Sequence, residues 1–264
     1  MIALYYLRTY LGRFVTKMRD NEKSFSMEES ASLPPSLDDV MLAPKQGGTE
    51  VYFIRHADAL PDAAEIVLGH YDEQSLSELG RKQAQALAEG LREVKLAAIY
   101  SAPLGRARQT AAPLAESKGL EVQVEPGLRE VGLGALHPNV AEGASPEEYA
   151  EALKARLREI AAIAIGEGGW GSIPGAEPSA TLRERITAAV NSIVARHPGE
   201  AVALVSHAGA INAYFAAILG LQRDYFFPTA NTSISVVRVK GANTLVMALN
   251  DIAHLRAAGL FPPK

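Results

Sequence analysis

The residues best suited to chemistry stand directly behind three apolar runs. Arg55 and His56 follow V-Y-F-I at 51 to 54, and His207 follows A-V-A-L-V-S at 201 to 206. Ser101 closes L-A-A-I-Y-S at 96 to 101, with Arg106 and Arg108 a few residues further on. Taken singly, each is an ordinary residue: a histidine behind a strand is commonly solvated, and helical arginines commonly pair with surface acids. Three coincident run ends are harder to assign to separate accidents. Imidazoles beside guanidinium groups make an electropositive site, which suits a phosphoryl group because its oxygens take charge-assisted, often bidentate, hydrogen bonds.

These side chains converge only if the runs are neighbouring strands, and the intervening patterns predict that. S-E-L-G-R-K-Q-A-Q-A-L-A-E-G-L-R-E-V (77 to 94) places Leu79, Ala84, Leu87, Leu91 and Val94 on one helical face behind a Ser77 cap. A second helix is expected over 105 to 119, bent at Pro113, then a strand over 121 to 125. Residues 145 to 166 have Pro just inside the start and Gly at the end, the usual helical asymmetry, and 179 to 199 form another helix. Short apolar runs alternating with helices are the form of βαβ units and a mostly parallel sheet. S-I-S-V-V-R-V and T-L-V-M-A-L-N, around Lys240 to Asn243, read as an antiparallel hairpin at its edge. In open α/β sheets ligands sit beyond the carboxyl ends of the strands, so His56, His207 and at least one arginine among Arg55, Arg106 and Arg108 are expected on one rim, with Ser101 at its edge.

Composition narrows the class. With 264 residues, 48% apolar content and a net charge of -4, the chain reads as one globular domain with an appendage, not a nucleic-acid binder, which needs clustered cations. The lack of cysteine removes disulfides, thiolate metal sites and cysteine nucleophiles. No window approaches the roughly 20 apolar residues of a spanning helix. Residues 1 to 19 carry four basic and no acidic residues, with Leu4, Leu7, Leu11, Phe14, Val15 and Met18 at helical spacing. This amphipathic helix is expected to dock on its own domain or a dimer partner, with membrane-surface or organelle targeting as alternatives; a cytoplasmic location is the default. Residues 20 to 49 are linker-like, and Met27 within them is a second possible start.

In order along the chain come R-H-A (55 to 57), S-L-S-E-L-G-R-K-Q-A (75 to 84), Y-S-A-P-L-G-R-A-R-Q-T-A (100 to 111), L-R-E (128 to 130) and V-S-H-A-G (205 to 209). Together they resemble the histidine phosphatase superfamily, its phosphoglycerate-mutase-like branch 1, over about residues 50 to 240. P-G-A-E-P-S (174 to 179) with Arg185, and N-T-S-I-S (231 to 235), add to the likeness. The resemblance implies a three-layer α/β/α sandwich with a mostly parallel sheet and an antiparallel edge. It implies that His56 is the nucleophile, that Arg55, Arg106 and His207 hold the phosphoryl oxygens, and that Glu130 is the general acid and base. The substrate class is a small phosphomonoester or a phosphoprotein, and a homodimer is compatible. No metal or other cofactor is required: there is no H-E-x-x-H and no phosphate-binding P-loop.

Several positions depart from the family pattern. Ala57 replaces the usual glycine, and Asp62 stands where many members have an asparagine that donates to phosphate. R-H-A-D-A-L-P-D-A looks more like the compact phosphohistidine phosphatases, yet that group lacks an acid like Glu130 and an insert like 135 to 178. The insert is expected to cap the site, with Trp170 stacking on substrate or anchoring its loop. E-V-G-L-G-A-L follows where mutases carry a longer E-R-H-Y-G block, so hydrolysis is preferred over mutase activity, with a non-catalytic binding module as the alternative of another kind.

Overall fold

Six strands form one sheet: β1 (Thr49–Arg55), β2 (Ala98–Ser101), β3 (Val122–Val124), β4 (Ala201–Ser206), β5 (Ile234–Lys240) and β6 (Asn243–Asp251). In this computed structural model residues 48–59, 75–133, 144–171 and 173–261 are described. The helix expected over residues 1 to 19, the linker up to residue 47, and Asp62 lie outside them. The strand order is β3-β2-β4-β1-β5-β6. β4 pairs in parallel with both β1 and β2, and β2 with β3, whereas β5 is antiparallel to β1 and to β6. The expected mostly parallel sheet with an antiparallel edge is therefore present. Arg55 is level with Ser206, and Ser101 with Val205, so three parallel strands end on a common rim.

Helices α1 (Glu78–Gly90), α2 (Gly105–Lys118), α3 (Pro146–Glu167), α4 (Ser179–Arg196), α5 (Ala208–Ile218) and α6 (Ala253–Ala257) complete the α/β fold. The crossovers through α1 and α2 both step toward the β3 edge, and the return to β4 through α4 steps back. Right-handed connection therefore puts α1 and α2 on one face and α4 on the other. In keeping with this, α1 packs on α2 and α6, and α4 on α5. β4 is central and buried along nearly its whole length, and Phe53, Ile99, Leu204 and Phe215 belong to the core shared by the layers. None of the described helices is long and apolar enough to cross a membrane.

Local signals explain most boundaries. Ser77 Oγ accepts from Gly80 N at 2.9 Å, the predicted cap. Ser145 and Glu148 form a reciprocal capping box at the start of α3, with Pro146 behind the cap. That helix runs past Gly166 and ends at Gly168, whose φ of 75° is the left-handed cap that glycine adopts at no steric cost. The hairpin turn tightens to Gly241 and Ala242, because Lys240 and Asn243 are themselves paired.

Candidate active site

The Arg55–His56 pair is held by its backbone. His56 N donates to Ser206 O at 2.9 Å, and Thr232 N donates to Arg55 O at 3.0 Å. Asn231 Nδ2 donates to His56 O at 3.0 Å, and Arg55 Nη1 to Thr229 O at 2.6 Å. The 229 to 233 loop thus grips both residues. Thr232 has a φ of 55°, a strained conformation for a β-branched residue that costs on the order of 1–3 kcal/mol and is sustained only by well-fixed surroundings. One such fixture is His254, whose Nε2 lies 3.2 Å from Thr232 Oγ1.

Downstream, Ala57 N donates to Thr110 Oγ1 at 2.9 Å, and that hydroxyl donates to Arg106 O at 2.7 Å. The loop after His56 and the helical turn bearing Arg106 are therefore tied together. Ala57 is fully buried in this join. Asp58 is pinned to the start of α1: it accepts from Ser77 Oγ at 2.6 Å, and its backbone N donates to Gln83 Oε1 at 2.9 Å. Only glycine fits at position 80, since a Cβ there would lie 1.9 Å from Asp58 O. The L-G in the second sequence block has this steric meaning.

The His56 ring places Nδ1 2.7 Å from Ala57 O. A carbonyl can only accept, so Nδ1 carries the hydrogen and Nε2 keeps its lone pair. Burial, then the Arg55 and Arg106 charges, hold this imidazole well below the ordinary histidine range, so it is neutral at pH 7. His207, the residue before α5, is fully buried, and its ring centroid lies 5.0 Å from that of His56. Burial, then His56 and the arginines, push it well below the ordinary range too. Its Nδ1 is 3.4 Å from Arg106 Nη2, while Nε2 makes no hydrogen bond among the described residues. Arg55 Nε is buried and unbonded in the same way. Buried polar nitrogens without partners are uncommon, and these two belong to residues at or directly after the ends of the adjacent strands β1 and β4.

Glu130 approaches from the other side. Its carboxylate accepts from Val131 N at 2.9 Å and Ala210 N at 3.0 Å through Oε1, and from Gly209 N at 3.2 Å through Oε2. It caps the free N–H groups of α5, where the helix dipole favours an anion. A Cβ on Gly209 would meet Glu130 Oε1 at 2.6 Å and Trp170 Cζ2 at 2.9 Å. Gly209→Ala is therefore expected to cost about 1–3 kcal/mol and to displace the carboxylate, read as a lowered urea midpoint together with reduced kcat.

The segment bearing Glu130 is fixed by Arg185 and Glu177. Arg185 Nη1 donates to Gly127 O at 2.8 Å and to Arg129 O at 3.0 Å, while Nη2 donates to Glu177 Oε2 at 2.7 Å. Glu177 Oε2 also accepts from Gly132 N at 3.1 Å. Burial opposes ionisation of Glu177, but the bonds from Arg185 and Gly132 outweigh it and hold the carboxyl below its ordinary range. Glu177→Ala leaves Arg185 without its main counter-charge; we expect a loss of about 3 kcal/mol in chemical denaturation.

A cavity of about 360 Å³ opens over these groups. Its lining joins Arg55, His56, Arg106 and Glu130 to Leu133, Trp170, Tyr225 and one face of α3. His207 is not among the lining residues; it contacts Arg106, and its ring lies near that of His56. Of the residues singled out in sequence, Arg108 is exposed, and Ser101 Oγ donates to Ala102 O at 2.8 Å, so neither lines the cavity. Trp170 is buried, packs edge-on against Tyr225 and borders the cavity, serving as loop anchor and wall together. His197 bonds to Tyr100 and Glu200, away from the site. Sequence reasoning gave no role to Asn231, which sat inside a matched block, or to Tyr225, whose loop D-Y-F-F-P carries no chemical pattern.

A sheet whose parallel strands end on two histidines and two arginines, faced by a glutamate, is the architecture of an enzyme that handles phosphoryl groups. The chain belongs to the histidine phosphatase superfamily, branch 1, whose family model matches residues 51–252, and its activity is of that superfamily's phosphatase/mutase kind. A probable phosphoglycerate mutase, GpmB, of Yersinia enterocolitica is 33% identical over 213 residues, covering 78% of this chain and 94% of the relative. Phosphoserine phosphatase 1 of Hydrogenobacter thermophilus is 30% identical over 208 residues, with 78% and 94% covered. Among solved structures, Bacillus stearothermophilus YhfR matches with a TM-score of 0.60 at 27% identity, covering 78% of this chain and 99% of that one. A mycobacterial glucosyl-3-phosphoglycerate phosphatase matches with a TM-score of 0.57 at 28% identity, covering 78% and 100%.

Proposed function

We propose that this protein hydrolyses phosphomonoesters through a phosphohistidine formed on His56. The observation that carries the proposal is the fixed tautomer: Nδ1 is committed to Ala57 O, leaving Nε2 as a neutral nucleophile in a cavity that Arg55, Arg106 and Glu130 also line. Nε2 attacks phosphorus, the P–O bond to the leaving group breaks, and its electron pair takes a proton from Glu130. Water then attacks the phosphohistidine, gives a proton to the Glu130 carboxylate, and the P–N bond breaks. Arg55, Arg106 and His207 bind the phosphoryl oxygens and stabilise the charge shared among them in the in-line transition state.

All charges needed for the reaction come from side chains, so hydrolysis of p-nitrophenyl phosphate is expected to persist in EDTA and to require His56. Absence of His56-dependent turnover on this ester and on a panel of natural phosphomonoesters would refute the proposal and leave a binding module. Water as acceptor, in keeping with E-V-G-L-G-A-L after the acid, predicts that one ¹⁸O atom from labelled water enters each phosphate released. A mutase would instead interconvert phosphoglycerates and depend on a bisphosphoglycerate primer.

The buried histidines also set an acid limit. His56, His207 and His254 all have folded values below 6.5, each chiefly through burial. Above the unfolded value of roughly 6.5 neither state is protonated and the fold has its full stability. As pH falls below it, the unfolded chain binds protons that these folded imidazoles refuse. Stability is then lost at up to about 1.4 kcal/mol per pH unit for each histidine, until its folded value is passed. Urea midpoints at pH 7.5 and 5.5 should fall accordingly.

A further inference from the structure

The part of the cavity lining that α3 supplies has a distinct chemistry. Leu157, Ile160, Ala161, Ala164 and Ile165 form it, at the 3- and 4-residue steps that place side chains on one stripe of α3. Trp170 and Leu133 continue the same apolar wall. Of the charges of α3, Lys154 pairs with Glu151 and Arg156 with Glu159, each at 2.7 Å, and no charged residue of this helix is among those that line the cavity. Ile160 and Ala164 are buried, but Ile165 is 57% exposed and Ala161 is exposed as well, so the outer part of the stripe is open to solvent. Such a surface, continuous with a cluster of arginines and histidines, suits a ligand that is anionic at one end and apolar at the other.

Among the described lining residues the cations are Arg55 and Arg106, neither of which belongs to α3. Along the apolar wall, a carboxylate or ammonium on the leaving group would face leucine, isoleucine and tryptophan with no counter-charge. Burying a charge there without a partner is strongly unfavourable. An alkyl or aryl group would displace water from both surfaces.

Resting on the phosphatase reading above and deepening it, we propose that the leaving group is apolar: the protein selects alkyl or aryl phosphomonoesters over phosphoglycerates and phosphoamino acids. Leu157 and Ile165 on α3 are its specificity-determining residues, and the phenolic hydroxyl of Tyr225 is the wall's polar exception.

The test uses the full chain and a homologous series in which leaving-group basicity barely changes. Dissociation constants of n-alkylphosphonates, ethyl through hexyl, are measured by calorimetry beside those of phosphoserine and 3-phosphoglycerate with the His56→Ala variant. Hydrolysis of the matching alkyl phosphates is followed with wild type. We expect affinity to rise about fourfold per methylene, the factor that ~0.8 kcal/mol per buried CH₂ gives, and so on the order of 10²-fold from ethyl to hexyl. Leu157→Asp and Ile165→Asp should flatten that slope, and Leu249→Asp, exposed on β6, should not. Affinity independent of chain length, or tighter binding of 3-phosphoglycerate or phosphoserine than of the hexyl compound, overturns the proposal. A preserved slope without any His56-dependent hydrolysis would support the apolar specificity while sinking the phosphatase reading, so the two failures are distinguishable.

Discussion

His56→Ala should lower phosphatase turnover by on the order of 10⁴-fold or more while the protein stays folded. Losing a nucleophile removes the whole covalent route, and only binding and electrostatic stabilisation of a direct attack by water remain. The fold should survive because the ring makes one hydrogen bond, to Ala57 O, whereas the backbone of residue 56 is held independently by Ser206 and Asn231. Steady-state kinetics on p-nitrophenyl phosphate, with a thermal melt as control, check both halves. A variant that keeps more than about a hundredth of the wild-type rate would show that phosphorus is attacked by another group.

Replacing Glu130 should divide into two effects that its two variants separate. Glu130→Gln keeps one acceptor oxygen, enough for Val131 and Ala210, but sets its NH2 against the Gly209 N–H and cannot exchange a proton, so kcat should fall by about 10²- to 10⁴-fold, the usual worth of general acid–base catalysis, with a smaller stability loss than Glu130→Ala. The loss should be larger for alkyl phosphates, whose alkoxides need a proton, than for p-nitrophenyl phosphate, whose phenolate leaves unaided. Glu130→Ala should show the same kinetic defect and, in addition, lose about 1–3 kcal/mol, because the first turn of α5 is left with unsatisfied N–H groups. Equal losses on both ester types would mean that Glu130 does not protonate the leaving group and acts in the water step that the two esters share.

Much of this site was legible in sequence because its cationic and imidazole groups follow strands. Apolar runs of strand length marked β1, β2 and β4, and parallel register brings their carboxyl ends level, so His56, His207 and at least one arginine could be placed on one rim by topology alone. Glu130 could not: it reaches the rim from an irregular segment held by Glu177 and Arg185, and only the resemblance of L-R-E to its family pointed there. Topology did not separate Arg106 from Arg108; only the family resemblance pointed to Arg106. Two residues apart on a helix they point in different directions, and packing buries one and exposes the other. Asn231 acts through a side-chain bond to the His56 carbonyl, a contact between residues 175 apart that no local pattern encodes. The stripe from Leu157 to Ile165 has the periodicity of any core-facing helix; that its outer part borders a cavity is a fact of tertiary placement.

The covalent intermediate is the point on which the mechanism stands. Wild-type protein mixed with a ³²P-labelled phosphomonoester and quenched in alkali should carry label that survives base and is lost in acid, the lability of a phosphoramidate. Peptide mapping should place it on His56, and His56→Ala should carry none. Label on another residue, or rapid turnover with no label on the protein while ¹⁸O from water enters the product phosphate, would contradict the phosphohistidine route.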